Sequence, residues 1–160
     1  MSLERVQAAL SPLGLAGRIQ LFDVSSATVH LAAEALGCEE ARIAKTLSFR
    51  LGERILLIVA AGDAKVANAA YKAQFGSKAV MLAPDEAEAC IGHAVGGVCP
   101  FGVNPGIEVY LDVSLRRFST VFPAAGTANS AVELSISELE RATGFPQWID
   151  VCKDWREQDI

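Results

Sequence analysis

Apolar residues recur at helical spacing at Leu3, Val6, Leu10 and Leu13, and Gly14 follows them, which predicts a helix over residues 3–13. Residues 18–24 alternate and predict a strand. Ser25 and Ser26 are N-cap candidates for a helix over 28–36, closed by Gly37. Ile43–Leu51 alternates again, and Gly52-Glu53 forms a two-residue turn into Arg54–Ala61, so this stretch predicts a hairpin. The alanine-rich stretch 66–75 predicts a helix stopped by Gly76, with Lys65, Asn68 and Lys72 on one face. Residues 79–82 predict a short strand. Pro84 then opens a helix over 85–91 with Asp85 and Glu86 in its first turn. A Gly/Pro-rich loop covers 93–106, strands follow at 107–112, 119–122 and 131–134, and Ser137 precedes a helix over 138–143 stopped by Gly144. The tail carries Trp148 and Trp155 and either docks on the body or frays.

Helices and strands interleave, but the hairpin and the short connections break any strict βαβ repetition. The pattern predicts an α+β fold, a mixed, curved sheet with packed helices in a single domain over residues 1–160. Composition agrees: 160 residues, 51% of them hydrophobic, with mean hydropathy +0.30, supply a core and exclude a disordered chain. The longest uncharged apolar run, residues 55–62, falls short of the roughly 20 residues of a membrane span. Residues 1–15 carry Glu4 and Arg5 and lack an apolar stretch ending in a cleavage site, so no secretory signal and no membrane association are expected.

The net charge of −5 argues against indiscriminate nucleic-acid binding. Its distribution changes that picture: residues 1–40 sum to −3, residues 41–83 to +5 and residues 84–160 to −7. A basic middle within an acidic chain permits a local anion-binding face. Cys38, Cys90, Cys99 and Cys152 are widely spread, form no CxxC pair and have only His30 and His93 for company. They read as reduced thiols of a cytoplasmic protein, with no metal and no cofactor.

Three features can carry chemistry. Lys45 shares a strand face with Ile43, Leu47, Phe49 and Leu51. A lysine so placed snorkels to water, pairs with a carboxylate or lines a pocket that receives an anion. The loop Gly92-His93-Ala94-Val95-Gly96-Gly97-Val98-Cys99-Pro100-Phe101-Gly102 has a backbone able to aim several N–H groups at one point, as an oxyanion or phosphate requires, or else is simply a turn. It matches neither a P-loop nor a dinucleotide fingerprint. His93 and Cys99 lie six apart on this loop, where no regular geometry joins them; His93 suits substrate contact better than general-base work, and a covalent Cys99 mechanism is the lesser reading. Third, Ala124-Ala125-Gly126-Thr127-Ala128-Asn129-Ser130 suits either a second loop facing a ligand or a surface connection.

Taken together, these segments resemble the YbaK/EbsC-type aminoacyl-tRNA deacylases, related to the editing domain of bacterial prolyl-tRNA synthetases. The matching stretches are Ala32-Ala33-Glu34-Ala35-Leu36-Gly37, Ile43-Ala44-Lys45-Thr46-Leu47-Ser48-Phe49, Gly96-Gly97-Val98-Cys99-Pro100-Phe101-Gly102, Val109-Tyr110-Leu111-Asp112, and Ala125-Gly126 followed by Glu133-Leu134 and Glu138-Leu139. The resemblance implies a barrel-like mixed sheet and hydrolysis, without metal or cofactor, of the ester joining a wrong amino acid to the 3′-terminal adenosine of tRNA, with tRNA(Pro) one candidate. It implies that Lys45 contacts the terminal nucleotide, and that the backbone of residues 96–100 holds the adenosine and the ester carbonyl. Lys45, Gly96 and Gly97 are then the expected catalytic positions, and His93, Val98, Cys99, Pro100, Gly126, Thr127 and Ser130 the expected substrate contacts. This chain carries Cys99 where many relatives have Ser, and Ala131 where the cysteinyl deacylases carry Asp.

The ester is already activated, so positioning and backbone donors suffice without a Ser/His/Asp set. Lys65 and Lys72 are the expected contacts to acceptor-stem phosphates, and an aminoacyl-tRNA synthetase is a candidate partner. Two alternatives stand beside this reading: a non-catalytic module that binds a nucleotide or an aminoacyl-tRNA 3′ end, and a Cys99-dependent hydrolase.

Overall fold

The computed structural model describes residues 2–156. At its centre lies the hairpin of β2 (Ile43–Leu51) and β3 (Arg54–Ala61), paired antiparallel from Ala44↔Ala61 to Leu51↔Arg54. Gly52 supplies the left-handed turn residue at φ 61°. Every residue from Leu56 to Ala61 is fully buried, because β3 is covered on both faces, and such a strand needs a continuous apolar run instead of alternation. On one face Leu57 meets Leu82 with Ala87 and Ile91 of α4 (Pro84–Ile91). On the other, Leu56 and Ile58 join Val6 and Leu10 of α1 (Ser2–Leu10) in the main core. Each such leucine or isoleucine contributes about 1.5–3 kcal/mol by leaving water.

Six strands form one mixed sheet, in the order β8 (Leu134–Ser135), β6 (Thr120–Pro123), β2, β3, β5 (Glu108–Asp112), β9 (Gln147–Ile149). The pairs β2–β6, β3–β5 and β5–β9 are parallel, while β2–β3 and β6–β8 are antiparallel. The sheet curls into a half-barrel, the α+β architecture expected from the pattern. Two small ribbons complete it: β1 (Ile19–Leu21) with β7 (Ser130–Val132), and β4 (Lys65–Val66) with β10 (Cys152–Lys153). Buried Asp112 fastens the C-terminal segment, accepting from Ser114 N at 2.9 Å and Val151 N at 3.0 Å. Among the described residues no helix is long and apolar enough to cross a membrane.

Several boundaries differ from expectation. Thr28, not Ser25 or Ser26, caps α2 (Val29–Leu36), its Oγ1 accepting from Leu31 N at 3.2 Å. Ser135, not Ser137, caps α5 (Ile136–Ala142) in a reciprocal box with Glu138. The strand expected over 18–24 shortens to three residues, and that over 79–82 reduces to one bridge, Phe49↔Met81. The helix expected from residue 66 starts later, as α3 (Asn68–Phe75). Lys65 and Val66 instead pair with β10, and Ala67 N donates to Val151 O at 2.8 Å. Long-range pairing overrides helix propensity here, so Lys65 does not share a helix face with Lys72. The tail docks: Trp155 Nε1 donates to Cys152 O at 3.2 Å, and Arg116 lies 4.1 Å over the Trp148 ring.

Candidate active site

β6 accompanies β2 only at Ile43↔Phe122 and Ala44↔Pro123. Further along, residues 80–82 take over that edge: Leu82 N donates to Ser48 O at 3.0 Å and Arg50 N to Val80 O at 2.8 Å. Between these two partners the outer edge of β2 is open. Ser48 and Arg50 turn their backbone polar groups outward, and alternation along an antiparallel ladder turns those of Thr46 the same way, toward no strand partner. The opening is a cavity of about 250 Å³. Its walls are residues 43–47 of β2, the approach to α2 from Ser26 to Ala32, the glycine loop at Gly96 and Val98, and the segment running from Phe122 to Ala131. A second, apolar hollow of about 220 Å³ lies beside it, with Met81, Leu82 and Val95 on its far side. Thr46, Leu47, Gly96 and Val98 border both spaces and form a waist between them.

Most polar side chains of the larger cavity are already engaged. Ser26 Oγ donates toward Ala128 O and Ser130 O, each at 3.4 Å, and the Thr28 hydroxyl caps its helix. Ser130 Oγ accepts from Ala125 N at 3.2 Å and Thr127 N at 3.3 Å and donates to Thr127 O at 3.1 Å, which uses its full capacity. Thr46 Oγ1 is buried and has no partner. Among the described residues, Lys45 is the one ionisable side chain lining the cavity. It is partly buried, and its ammonium donates to Ala64 O and, at 3.5 Å, to Gly62 O. Desolvation holds its pKa below the ordinary lysine value.

The glycine loop divides the expected contacts into two groups. Gly96 and Val98 line the cavity, and among the described residues their amides donate to no protein acceptor. Gly97 does not line it: its N–H donates to Ala94 O at 3.0 Å, and its Cα packs against the Gly126 peptide, where a Cβ would lie 2.5 Å from Gly126 O. Gly97 and Gly126 therefore set the spacing of the two loops. Pro100 is buried outside the cavity lining, and Thr127 Oγ1 turns to Asn129 Oδ1 at 2.8 Å. Cys99 is fully buried in the main core, and desolvation pushes its thiol up to about 12. Both features disfavour a nucleophilic role, because the thiolate is the attacking species. His93 is also fully buried; its Nε2–H donates to Phe101 O at 2.6 Å while Nδ1 has no partner. Burial depresses its pKa and keeps it neutral, away from the cavity. Lys65 and Lys72 are exposed and lie outside the cavity lining. Among the described residues no cluster of His, Cys, Asp and Glu could hold a metal ion.

Sequence reading did not single out Thr46 or the first turn of α2 as part of a site, and noted Ser26 only as an N-cap candidate. Thr46 alternates as an ordinary strand residue. Its significance comes from the missing strand beside it, which only the tertiary fold reveals.

A model of the aminoacyl-tRNA editing domain matches residues 23–142, a span that holds every wall of the cavity. The chain belongs to this family. It is similar to a Bacillus subtilis protein named "Uncharacterized protein YwhH", 52% identical over 156 residues, covering 97% of this chain and 99% of that one. It is also similar to the Enterococcus faecalis protein named "Putative Cys-tRNA(Pro)/Cys-tRNA(Cys) deacylase EbsC", 30% identical over 106 residues and 64% of each chain. A crystal structure described as that of "a putative trans-editing enzyme for prolyl tRNA synthetase" superposes with TM-score 0.84 at 30% identity, covering 94% of this chain and 96% of the other. The editing family is thus of the YbaK/EbsC type that the strand lysine and the glycine loop resemble.

Proposed function

We propose that this protein is a trans-editing aminoacyl-tRNA deacylase, which hydrolyses the ester of a mischarged tRNA at the waist between the two hollows. The observation that carries this reading is that residues of two separate elements border both hollows: Thr46 on the open edge of β2, and Gly96 and Val98 on the loop, whose amides donate to no protein acceptor among the described residues. Fixed donors of this kind stabilise the oxygen of a tetrahedral intermediate, and removing one typically costs about 10²–10³-fold in rate.

In this reading the terminal adenosine occupies the larger cavity. Lys45 meets its negative edge, and the aminoacyl side chain points into the apolar hollow toward Met81 and Val95. Water adds to the ester carbonyl, and its oxygen forms the new bond to carbon. The bond from carbon to the ribose oxygen breaks, and that oxygen takes up the proton, leaving a free amino acid and tRNA with a free ribose hydroxyl. Among the described residues, the cavity lining contains no carboxylate, imidazole or thiol. The proton therefore travels through water or the vicinal ribose hydroxyl, and catalysis rests on orientation and oxyanion stabilisation. A panel of mischarged tRNAs, including Ala-, Cys- and Ser-tRNA(Pro), tests the reading. At least one is expected to lose its amino acid faster than the uncatalysed rate, and failure on all of them refutes it.

A further inference from the structure

The family match ends at residue 142, and the strands that follow build a surface outside the cavity. β10 returns to pair antiparallel with β4, setting Lys153 directly opposite Lys65 and Cys152 opposite Val66. Residues paired in this way share a face. Cys152 is buried, so the lysine pair faces outward, and both lysines are exposed. Like charges directly opposite one another destabilise a strand pair. Among the described residues neither lysine forms an ion pair; of the nearby acidic groups, Asp63 holds Arg117 through contacts of 2.5 and 2.9 Å and Asp150 holds Arg156 at 2.8 Å. Asp154 ends the strand with its backbone in the left-handed region, φ 70°.

The pair is held in place. Arg117 bridges Asp63 to the Trp155 ring, 4.9 Å from its centroid, and Trp155 bonds to Cys152 O. It also sits beside the cavity: the Lys45 ammonium bonds the carbonyls of Gly62 and Ala64 in the turn that leads into β4. Lys65 adds to the depression of the Lys45 pKa, as expected of neighbouring ammonium groups. Three cations thus surround one turn, and only Lys45 faces the cavity.

We propose that the Lys65–Lys153 pair is a phosphate clamp for the nucleic-acid strand whose 3′ end enters the cavity. This rests on the reading of the cavity as an aminoacyl-tRNA site. The clamp gives the fold a reason to oppose two lysines. A phosphodiester between them relieves their repulsion, and release of its counterions favours binding.

The test measures uncharged tRNA binding by fluorescence anisotropy as salt rises, for the full chain, for Lys65→Ala/Lys153→Ala and for Lys65→Arg/Lys153→Arg. The double alanine variant is expected to lower the magnitude of the slope of log K against log salt by about 0.7, the value for one single-strand phosphate. It is also expected to weaken binding by about two- to thirtyfold at low salt, with a melting temperature unchanged or raised, while the double arginine variant keeps the slope. Turnover of a 3′-aminoacyl-adenosine, which lacks the upstream phosphates, is measured in parallel and is expected to match the unaltered protein. An unchanged salt slope, absence of tRNA binding by the unaltered protein, or equal loss on both substrates overturns the clamp. A reduced slope in a protein that hydrolyses no aminoacyl ester upholds the clamp and refutes the hydrolytic reading instead.

Discussion

Gly97→Ala probes the spacing between the two loops that frame the site. The added Cβ would lie 2.5 Å from Gly126 O and 2.6 Å from both Gly126 C and Thr127 N. All three are backbone atoms, so no side chain can swing away to make room. Restoring an ordinary contact of 3.4 Å moves one loop by about 0.9 Å, and overpacking of this kind costs about 1–3 kcal/mol. For a domain of this size that lowers the melting temperature by about 2–4 °C per kcal/mol. Gly96 and Val98 flank Gly97 and move with it. A misplacement near 1 Å costs on the order of 10²-fold in rate, so kcat/KM should fall about ten- to a hundredfold. Gly106→Ala is the control. Gly106 also sits in the loop, at φ +88°, but a Cβ there meets nothing within 4 Å; it carries only left-handed strain of about 1–2 kcal/mol and should keep its turnover. The assay is single-turnover deacylation of a responsive aminoacyl-tRNA, with a thermal melt of each variant. A folded Gly97→Ala protein with kcat/KM within about twofold of the parent refutes the idea that loop spacing sets the site.

Other predictions follow from the buried groups. Cys99→Ala should retain turnover, because the thiol lies in the core and stays protonated; a loss of activity without a loss of stability would restore the cysteine mechanism. Burial holds His93 below its usual pKa of 6.5, so the unfolded chain binds a proton that the folded chain refuses. The stabilising contribution of neutral His93 is therefore complete above about pH 6.5 and is lost as pH falls through the folded-state pKa. His93→Gln keeps a donor for Phe101 O and should flatten that part of a plot of urea midpoint against pH; an unaltered plot would show that His93 does not govern it. Asp112→Ala strands two buried amides, at about 1–3 kcal/mol each, and urea unfolding should show a loss of that order; near-neutral stability would contradict the fastening role of Asp112.

Local chemistry explains which parts of this protein were legible. The β2–β3 hairpin was readable to the residue because alternation, a Gly-containing turn and a continuous apolar partner strand agree. The glycine stops at Gly37 and Gly76 were readable because each adopts a positive φ that glycine accommodates easily. Cap choice was not: Thr28 displaced Ser25 and Ser26 because the 25–26 segment is drawn into hydrogen bonds with residue 128 far along the chain. Lys65 left its helix for the same kind of reason, a strand partner, Lys153, far along the chain whose existence no local pattern announces. At the site, Lys45 and the glycine loop carried visible signals in charge and composition, and the fold brings Lys45, Gly96 and Val98 to one cavity. His93 and Cys99 carried equally visible signals, but the fold buries both in packed surroundings, where polarity alone is a poor guide to access.

The central claim is that the cavity between the open edge of β2 and the glycine loop cleaves aminoacyl esters with Lys45 at its wall. The most direct measurement compares the full protein with Lys45→Ala across a panel of mischarged tRNAs, alongside the thermal melt of each. The account predicts accelerated deacylation of at least one tRNA by the parent and its loss in a Lys45→Ala protein that still melts cooperatively. Equal turnover by the two proteins, or no turnover by the parent on any tRNA, would contradict it.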